Sequence, residues 1–133
     1  MENKKELTLN EYQKRAMTTC MPSSENFCYM FFNLVGEVGE LASKVAKALR
    51  KETGMMDGSN FFYYKFQEGE KTSSEMYEEL KKEAGDILWQ LSGLCTVMGW
   101  KLEDVGLGNL DKLAARKAAG TIVGNGDGII REK

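Results

Sequence analysis

Two short stretches place acids at matching intervals: "GEVGELA" at residues 36–42 and "KEAGDIL" at residues 82–88. Each holds a carboxylate pair three residues apart, Glu37 with Glu40 and Glu83 with Asp86, around a glycine and ahead of an aliphatic residue. Four carboxylates brought together repel one another, and the repulsion grows as water is excluded. A bound hard cation removes it. Mg²⁺ takes oxygen ligands, keeps several waters and needs only a few carboxylates plus substrate phosphates. The repeated pair therefore points to a cradle for Mg²⁺, with Mn²⁺ as a substitute. The competing reading is ordinary helix-surface salt bridging, since Glu40 precedes Lys44 by four residues and Glu79 precedes Lys82 by three. A single pair favours that plainer reading; the second pair, set on the same flank with a matching glycine, brings the cradle level with it.

Composition narrows the chemistry further. The 133 residues contain no histidine, which removes imidazole-based triads, histidine-rich zinc sites and the Glu-x-x-His di-iron bundle. Carboxylates, lysine and arginine must carry any reaction. A formal net charge of −2 gives no general footprint for nucleic acid. Cys20, Cys28 and Cys95 have no CxxC spacing and are odd in number, as expected of reduced thiols in a cytoplasmic protein. Residues 1–10 lack a signal-peptide core, and no apolar run is long enough to span a bilayer. The length suits one domain, 1–133.

The elements that must position the acids read as helices. One proline among abundant Leu, Ala, Lys, Glu and Met favours long helices over many short strands. Thr8 and Glu11 have capping-box spacing and open a first helix, about Leu9 to Cys20, which Pro22 ends. Ser24 is placed to cap a second helix, about Glu25 to Lys51. Residues 53–74 resemble an insertion around the aromatic cluster Phe61 to Phe66, either a short hairpin or an ordered loop. Thr72 (or Ser73 or Ser74) caps a third helix that runs to about Met98 and stops at Gly99; a fourth covers about Leu102 to Ala119. The glycine-rich residues 120–133 read as a loop or extended tail. The expectation is an all-α bundle of three to four main helices, with the two acid-bearing helices antiparallel across the long loop.

On a helical wheel the second helix has an apolar stripe of Leu34, Val38, Leu41, Val45, Ala48 and Leu49. Glu37 lies at its edge, Glu40 further round, and Lys44 and Lys47 continue that flank. The third helix has a stripe of Leu80, Ala84, Ile87, Leu88, Leu91 and Met98, with Glu83 and Asp86 in the places of Glu37 and Glu40. Packing by these stripes would bring both acid pairs to one border, with Gly39 and Gly85 each permitting close backbone approach. Asn109, Lys112 and Arg116, at i, i+3 and i+7, share one face of the fourth helix. A lysine and an arginine aimed at the acids would bind phosphate oxygens, though a helix C-terminus favours such residues with no ligand. Lys44, Lys47 and Asp127 are weaker candidates; an Asx turn accounts for Asp127 equally well.

These residues together resemble the MazG-like nucleotide pyrophosphohydrolases, of the all-α NTP pyrophosphatase group that includes the dimeric dUTPases. Glu37 and Glu40 match the second and third acids of that group's E-E-x-x-E, and Glu83 and Asp86 match its E-x-x-D. Asn109, Lys112 and Arg116 match its N-x-x-K-x-x-x-R, while Tyr12-Gln13 and "GNGDG" match flanking segments. Gly36 stands where the first acid is usual, and the spacer between the acid pairs is longer than usual. The resemblance implies Mg²⁺-dependent hydrolysis of an NTP or dNTP to the monophosphate and pyrophosphate. It implies Glu37, Glu40, Glu83 and Asp86 as metal ligands, and Asn109, Lys112 and Arg116 on the phosphates. Glu40, with Glu37 beside it, would orient or deprotonate the attacking water. It also implies a homodimer or homotetramer; the charge and the lack of a long apolar run set the expectation of no nucleic-acid and no membrane partner. The alternative is a catalytically inactive nucleotide-binding or regulatory module of the same fold.

Overall fold

A computed structural model of the chain describes residues 5–64 and 71–120. Four helices carry it: α1 (Leu9–Met17), α2 (Phe27–Arg50), α3 (Ser73–Val97) and α4 (Leu102–Ala118). A single-turn 3-10 helix at Pro22–Ser24 links α1 to α2, and a two-stranded hairpin, β1 (Gly54–Asp57) and β2 (Asn60–Tyr63), lies between α2 and α3. The all-α expectation holds, with the hairpin as the chosen form of the insertion. The tail, with Asp127, and the aromatic Phe66 lie outside the described residues.

Side-chain chemistry sets most of the ends. Thr8 and Thr72 cap α1 and α3, their hydroxyls accepting from the backbone N–H of Glu11 and Glu75 at 3.1 and 3.2 Å. Helix α2 begins later than expected. Ser24 is used in the 3-10 turn, and Asn26 is the cap, its Oδ1 accepting from Tyr29 N–H at 2.9 Å. Gly99 at φ 73° and the Trp100 N–H to Cys95 carbonyl bond of 2.7 Å end α3 as a Schellman turn. The same turn ends α2, with Thr53 N–H on the Ala48 carbonyl at 2.9 Å, but there a non-glycine residue, Glu52, takes the left-handed position at φ 58°.

The principal packing is α2 against α3. Met30 lies on Gly93, Glu37 beside Glu83 and Asp86, and Lys44 on Glu83, so positions descend on one helix as they rise on the other: the pair is antiparallel. A Cβ at Gly93 would stand 2.3 Å from Met30 Sδ, so the bare glycine admits the buried methionine.

The seams differ from the expected stripes by a rotation. Among the buried and half-buried positions, Met30, Leu34, Glu37, Leu41, Lys44 and Ala48 form one row on α2, and Met76, Leu80, Glu83, Ile87, Gln90 and Leu94 form one on α3. Both follow alternating steps of three and four, the period of a helix–helix seam. Val38, expected inside, is 50% exposed, and Ala84, Leu88 and Met98 are exposed as well. The expected stripes counted only apolar residues, whereas the real seams run through Glu37 and Glu83. Gly39 and Gly85 also depart from expectation: nothing lies within 4 Å of a Cβ built on either, so they open space instead of admitting a backbone.

Trp89 and Gln13 tie α1 to α3 and to the start of α4. Trp89 Nε1 of α3 donates to the Ala16 carbonyl and to Thr19 Oγ1, both at 3.1 Å. Gln13 donates to Thr96 Oγ1 and the Trp100 carbonyl, and accepts from Leu102 N–H at 2.7 Å. Helix α4 has no side-chain cap of its own, so Gln13 satisfies its first N–H from another helix.

The hairpin closes on Gly58 and Ser59, with Gly58 at φ 59° in the first loop position, the place a type II′ turn reserves for glycine. It seats on the end of α2 through buried Gly54, whose missing Cβ would stand 3.1 Å from Ala48 Cβ of α2 and 2.8 Å from the Phe61 ring of β2. Tyr77 of α3 holds the other side, its Oη accepting from Tyr63 N–H at 3.1 Å and its ring meeting Tyr63 edge-on at 5.1 Å.

Candidate metal centre

Glu37, Glu83 and Asp86 each offer a carboxylate oxygen within 4.8 Å of the others, one from α2 and two from α3. Their convergence follows from the seams: Glu37 and Glu83 occupy facing interior positions, and Asp86 lies almost one turn beyond Glu83 on the rim. Burial pushes the Glu37 carboxyl above its ordinary range, and the charges of Asp86, Glu83 and Glu40 push it further the same way. Lys44 Nζ lies 3.2 Å from Glu83 Oε1, and that hydrogen bond, the main influence on it, raises the lysine above its usual range. Tyr12 on α1 is raised by burial and by the charge of Asp86, which brings α1 within electrostatic reach of the cluster.

The donor set fits a small hard cation. Three carboxylates from two helices supply anionic oxygen only, and the lysine neutralises one of them. The expected four-acid cluster is thus a cluster of three with Glu40 outside it: Glu40 is exposed, one turn along α2, near enough for its charge to act on Glu37. The two acid pairs are not equivalent, because Glu37 and Glu83 are seam residues whereas Glu40 and Asp86 leave the seam in different directions.

The residues expected on phosphates divide into two groups. Asn109 and Lys112 are exposed and Arg116 is half-buried on α4, which packs on α1 through the Asn10 Nδ2 to Glu103 Oε2 bond of 2.6 Å. Among the described residues, no hydrogen bond or ion pair joins Asn109 or Lys112 to the acids. Lys44 and Lys47, the weaker candidates, line a cleft of about 500 Å³ together with Lys51, Thr53, Tyr63 and Lys71. A second cleft of about 660 Å³ joins Lys44 and Lys71 to Lys82, Glu83 and Asp86. Sequence reasoning missed Lys51, although its step of four from Lys47 continues the stripe of Glu37, Glu40 and Lys44. Tyr63 reaches the cleft from the hairpin, Thr53 from the turn that ends α2 and Lys71 from beside the α3 cap, and no local signal marks them.

Comparison with known proteins agrees with this geometry. The family model described as MazG nucleotide pyrophosphohydrolase domain matches residues 28–120, well over half the chain and all three clustered acids. The chain is 34% identical over 105 residues to the Gene 37 protein of Mycobacterium phage L5, covering 79% of this chain and 78% of the relative. That name states no activity. No solved structure matches at a significant level.

Proposed function

Because the chain belongs to the MazG nucleotide pyrophosphohydrolase family, we propose that it hydrolyses a nucleoside or deoxynucleoside triphosphate to the monophosphate and pyrophosphate with Mg²⁺. The observation that carries this reading is the convergence of Glu37, Glu83 and Asp86 within 4.8 Å. These three residues hold the ion, with Mn²⁺ as a substitute. Bound there, it supplies charge neutralisation and positioning, which are most of what phosphoryl chemistry asks of a protein.

The chain's own residues do the rest. Glu40 is exposed, unpaired among the described residues and one turn from Glu37, free to take a proton from water. Its placement outside the cluster suits a base better than a ligand. Asn109, Lys112 and Arg116 bind phosphate oxygens from α4; the packing of α4 on α1 in one chain makes a second copy the natural source of that face. A homodimer or homotetramer also suits the surface of α2, where Phe27, Phe31, Val35 and Val38 form an exposed apolar edge at steps of four, four and three. No helix among the described residues is long and apolar enough to cross a membrane, in keeping with a cytoplasmic enzyme.

The test is pyrophosphate release from the common NTPs and dNTPs, with Mg²⁺ and with chelator. Metal-dependent release together with the monophosphate is the expected result. Folded protein that turns over no nucleotide would refute the enzyme and leave the binding module, the reading favoured by Gly36 standing in the usual place of an acid.

A further inference from the structure

The hairpin and the end of α2 enclose a second charged feature, opposite in sign to the carboxylates. Along one face of α2 the residues run Glu37, Glu40, Lys44, Lys47 and Lys51, acids first and lysines after. At 1.5 Å per residue Lys44 is about 10 Å beyond Glu37 along the axis, and Lys51 about 21 Å. Lys71 faces them across the cleft, and Thr53 and Tyr63 wall it from the hairpin. The clefts beside the acids and beside the lysines share Lys44, Lys71 and Glu79, so they form one groove.

Helix polarity favours Lys47 in the last turn and Lys51 at the C-cap, but it does not bring Lys44, which precedes that turn, or Lys71, which comes from another segment, to the same cleft. Lys44 is neutralised by Glu83 and Lys71 by Glu79, whereas Lys47 and Lys51 have no ion-pair partner among the described residues. Two unpaired ammonium groups on one wall of a concave site repel each other until an anion lies between them. Lysine binds phosphate as a point charge on a long, adjustable stem, and the hydroxyl of Tyr63, which lines the cleft, adds a donor.

We propose that the lysine cleft is the subsite for the diphosphate portion of the substrate, holding the β and γ phosphates before cleavage and inorganic pyrophosphate after it. This rests on the pyrophosphohydrolase reading. In the reaction, water's oxygen adds to phosphorus, its proton passes to Glu40, and the α–β anhydride bond breaks with its electron pair staying on the departing oxygen. The diphosphate then lies on Lys47 and Lys51, away from the carboxylates. Lys44 has a double part: a cation held by Glu83 competes with its ammonium, and once displaced Lys44 turns to the phosphates.

The test is calorimetric titration of the full chain with inorganic pyrophosphate in Mg²⁺, comparing wild type with Lys47→Gln/Lys51→Gln. The double variant is expected to bind pyrophosphate at least tenfold more weakly, with Mn²⁺ affinity changed less than twofold and Lys47→Arg/Lys51→Arg restoring most of the loss. Unchanged pyrophosphate affinity would overturn the proposal, as would an equal loss of affinity for the nucleoside monophosphate. If the double variant loses its helical circular dichroism, Lys47→Gln alone is read the same way, with threefold as the threshold. Normal wild-type turnover beside unchanged pyrophosphate affinity removes the subsite and leaves the enzyme. No turnover beside lost pyrophosphate binding removes the enzyme and leaves a diphosphate site.

Discussion

Replacing Glu37 by glutamine tests the metal centre without requiring turnover. Glu37 has Asp86 and Glu83 oxygens within 4.8 Å, and Lys44 neutralises only Glu83. One uncompensated like-charge pair at that distance costs roughly 1 to 3 kcal/mol as the effective dielectric falls from that of water toward 20. Glu37→Gln keeps the shape and removes the charge, so the metal-free variant should be more stable than metal-free wild type by that amount, about 3 to 10 °C in Tm. Magnesium reverses the order. Saturation at a hundred times Kd stabilises wild type by about 2.7 kcal/mol and should leave the variant nearly unmoved. Thermal melts of both proteins, with chelator and with Mg²⁺, read all four quantities. A metal-free variant that melts below wild type, or one that keeps the full Mg²⁺ shift, would refute the placement of Glu37 in a charge-strained cation site.

The pH dependence follows with a definite sign. The Glu37 carboxyl is raised in the folded state, so its contribution to metal-free stability is full below its unfolded pKa and lost as pH rises through the folded one. Glu79, lowered mainly by its hydrogen bond to Lys71, contributes in the opposite direction, so the difference in melting between wild type and Glu37→Gln isolates Glu37; that difference should grow in the variant's favour from pH 4 to 7. Glu40→Gln should lose turnover by at least a hundredfold while keeping Mn²⁺ affinity, and a loss of Mn²⁺ binding would make Glu40 a ligand instead. Glu52→Gly should stabilise the protein by about 1 kcal/mol in a denaturant melt, because Glu52 takes a left-handed conformation at φ 58°. Gln13→Ala removes three hydrogen bonds that join α1, α3 and α4 and should cost roughly 2 kcal/mol by the same measurement.

Helix content and the two cap threonines were legible from Thr8, Thr72 and the spacing of glutamates behind them, because capping is local chemistry. The α2–α3 seam was not. A wheel that counts apolar residues as interior excludes Glu37 and Glu83, yet these acids occupy seam positions, and leaving them out turned the inferred faces toward Val38 and Leu88. The acids themselves were legible as a repeated pair. Their inequivalence depends on small rotations between packed helices, so Glu40 could not be separated from Asp86 in advance. Asn26 replaced Ser24 as a cap because the proline turn consumes Ser24, a competition between two adequate local solutions. Lys71 stands beside the Thr72 cap and pairs with Glu79, but the cleft it lines also needs the end of α2 and Tyr63 of the hairpin, and nothing in its neighbourhood of sequence announces them.

The order of charges along α2, acids before lysines, gives the groove a direction. A ligand with a cation-binding middle and an anionic tail can lie along it one way only, its tail toward the hairpin. On the proposed reading the nucleoside would point the other way, toward the start of α2, and selection of the base would belong to that opposite end. Exchanging the hairpin between relatives would alter the tolerated length of the phosphate chain and leave the preferred base as it was.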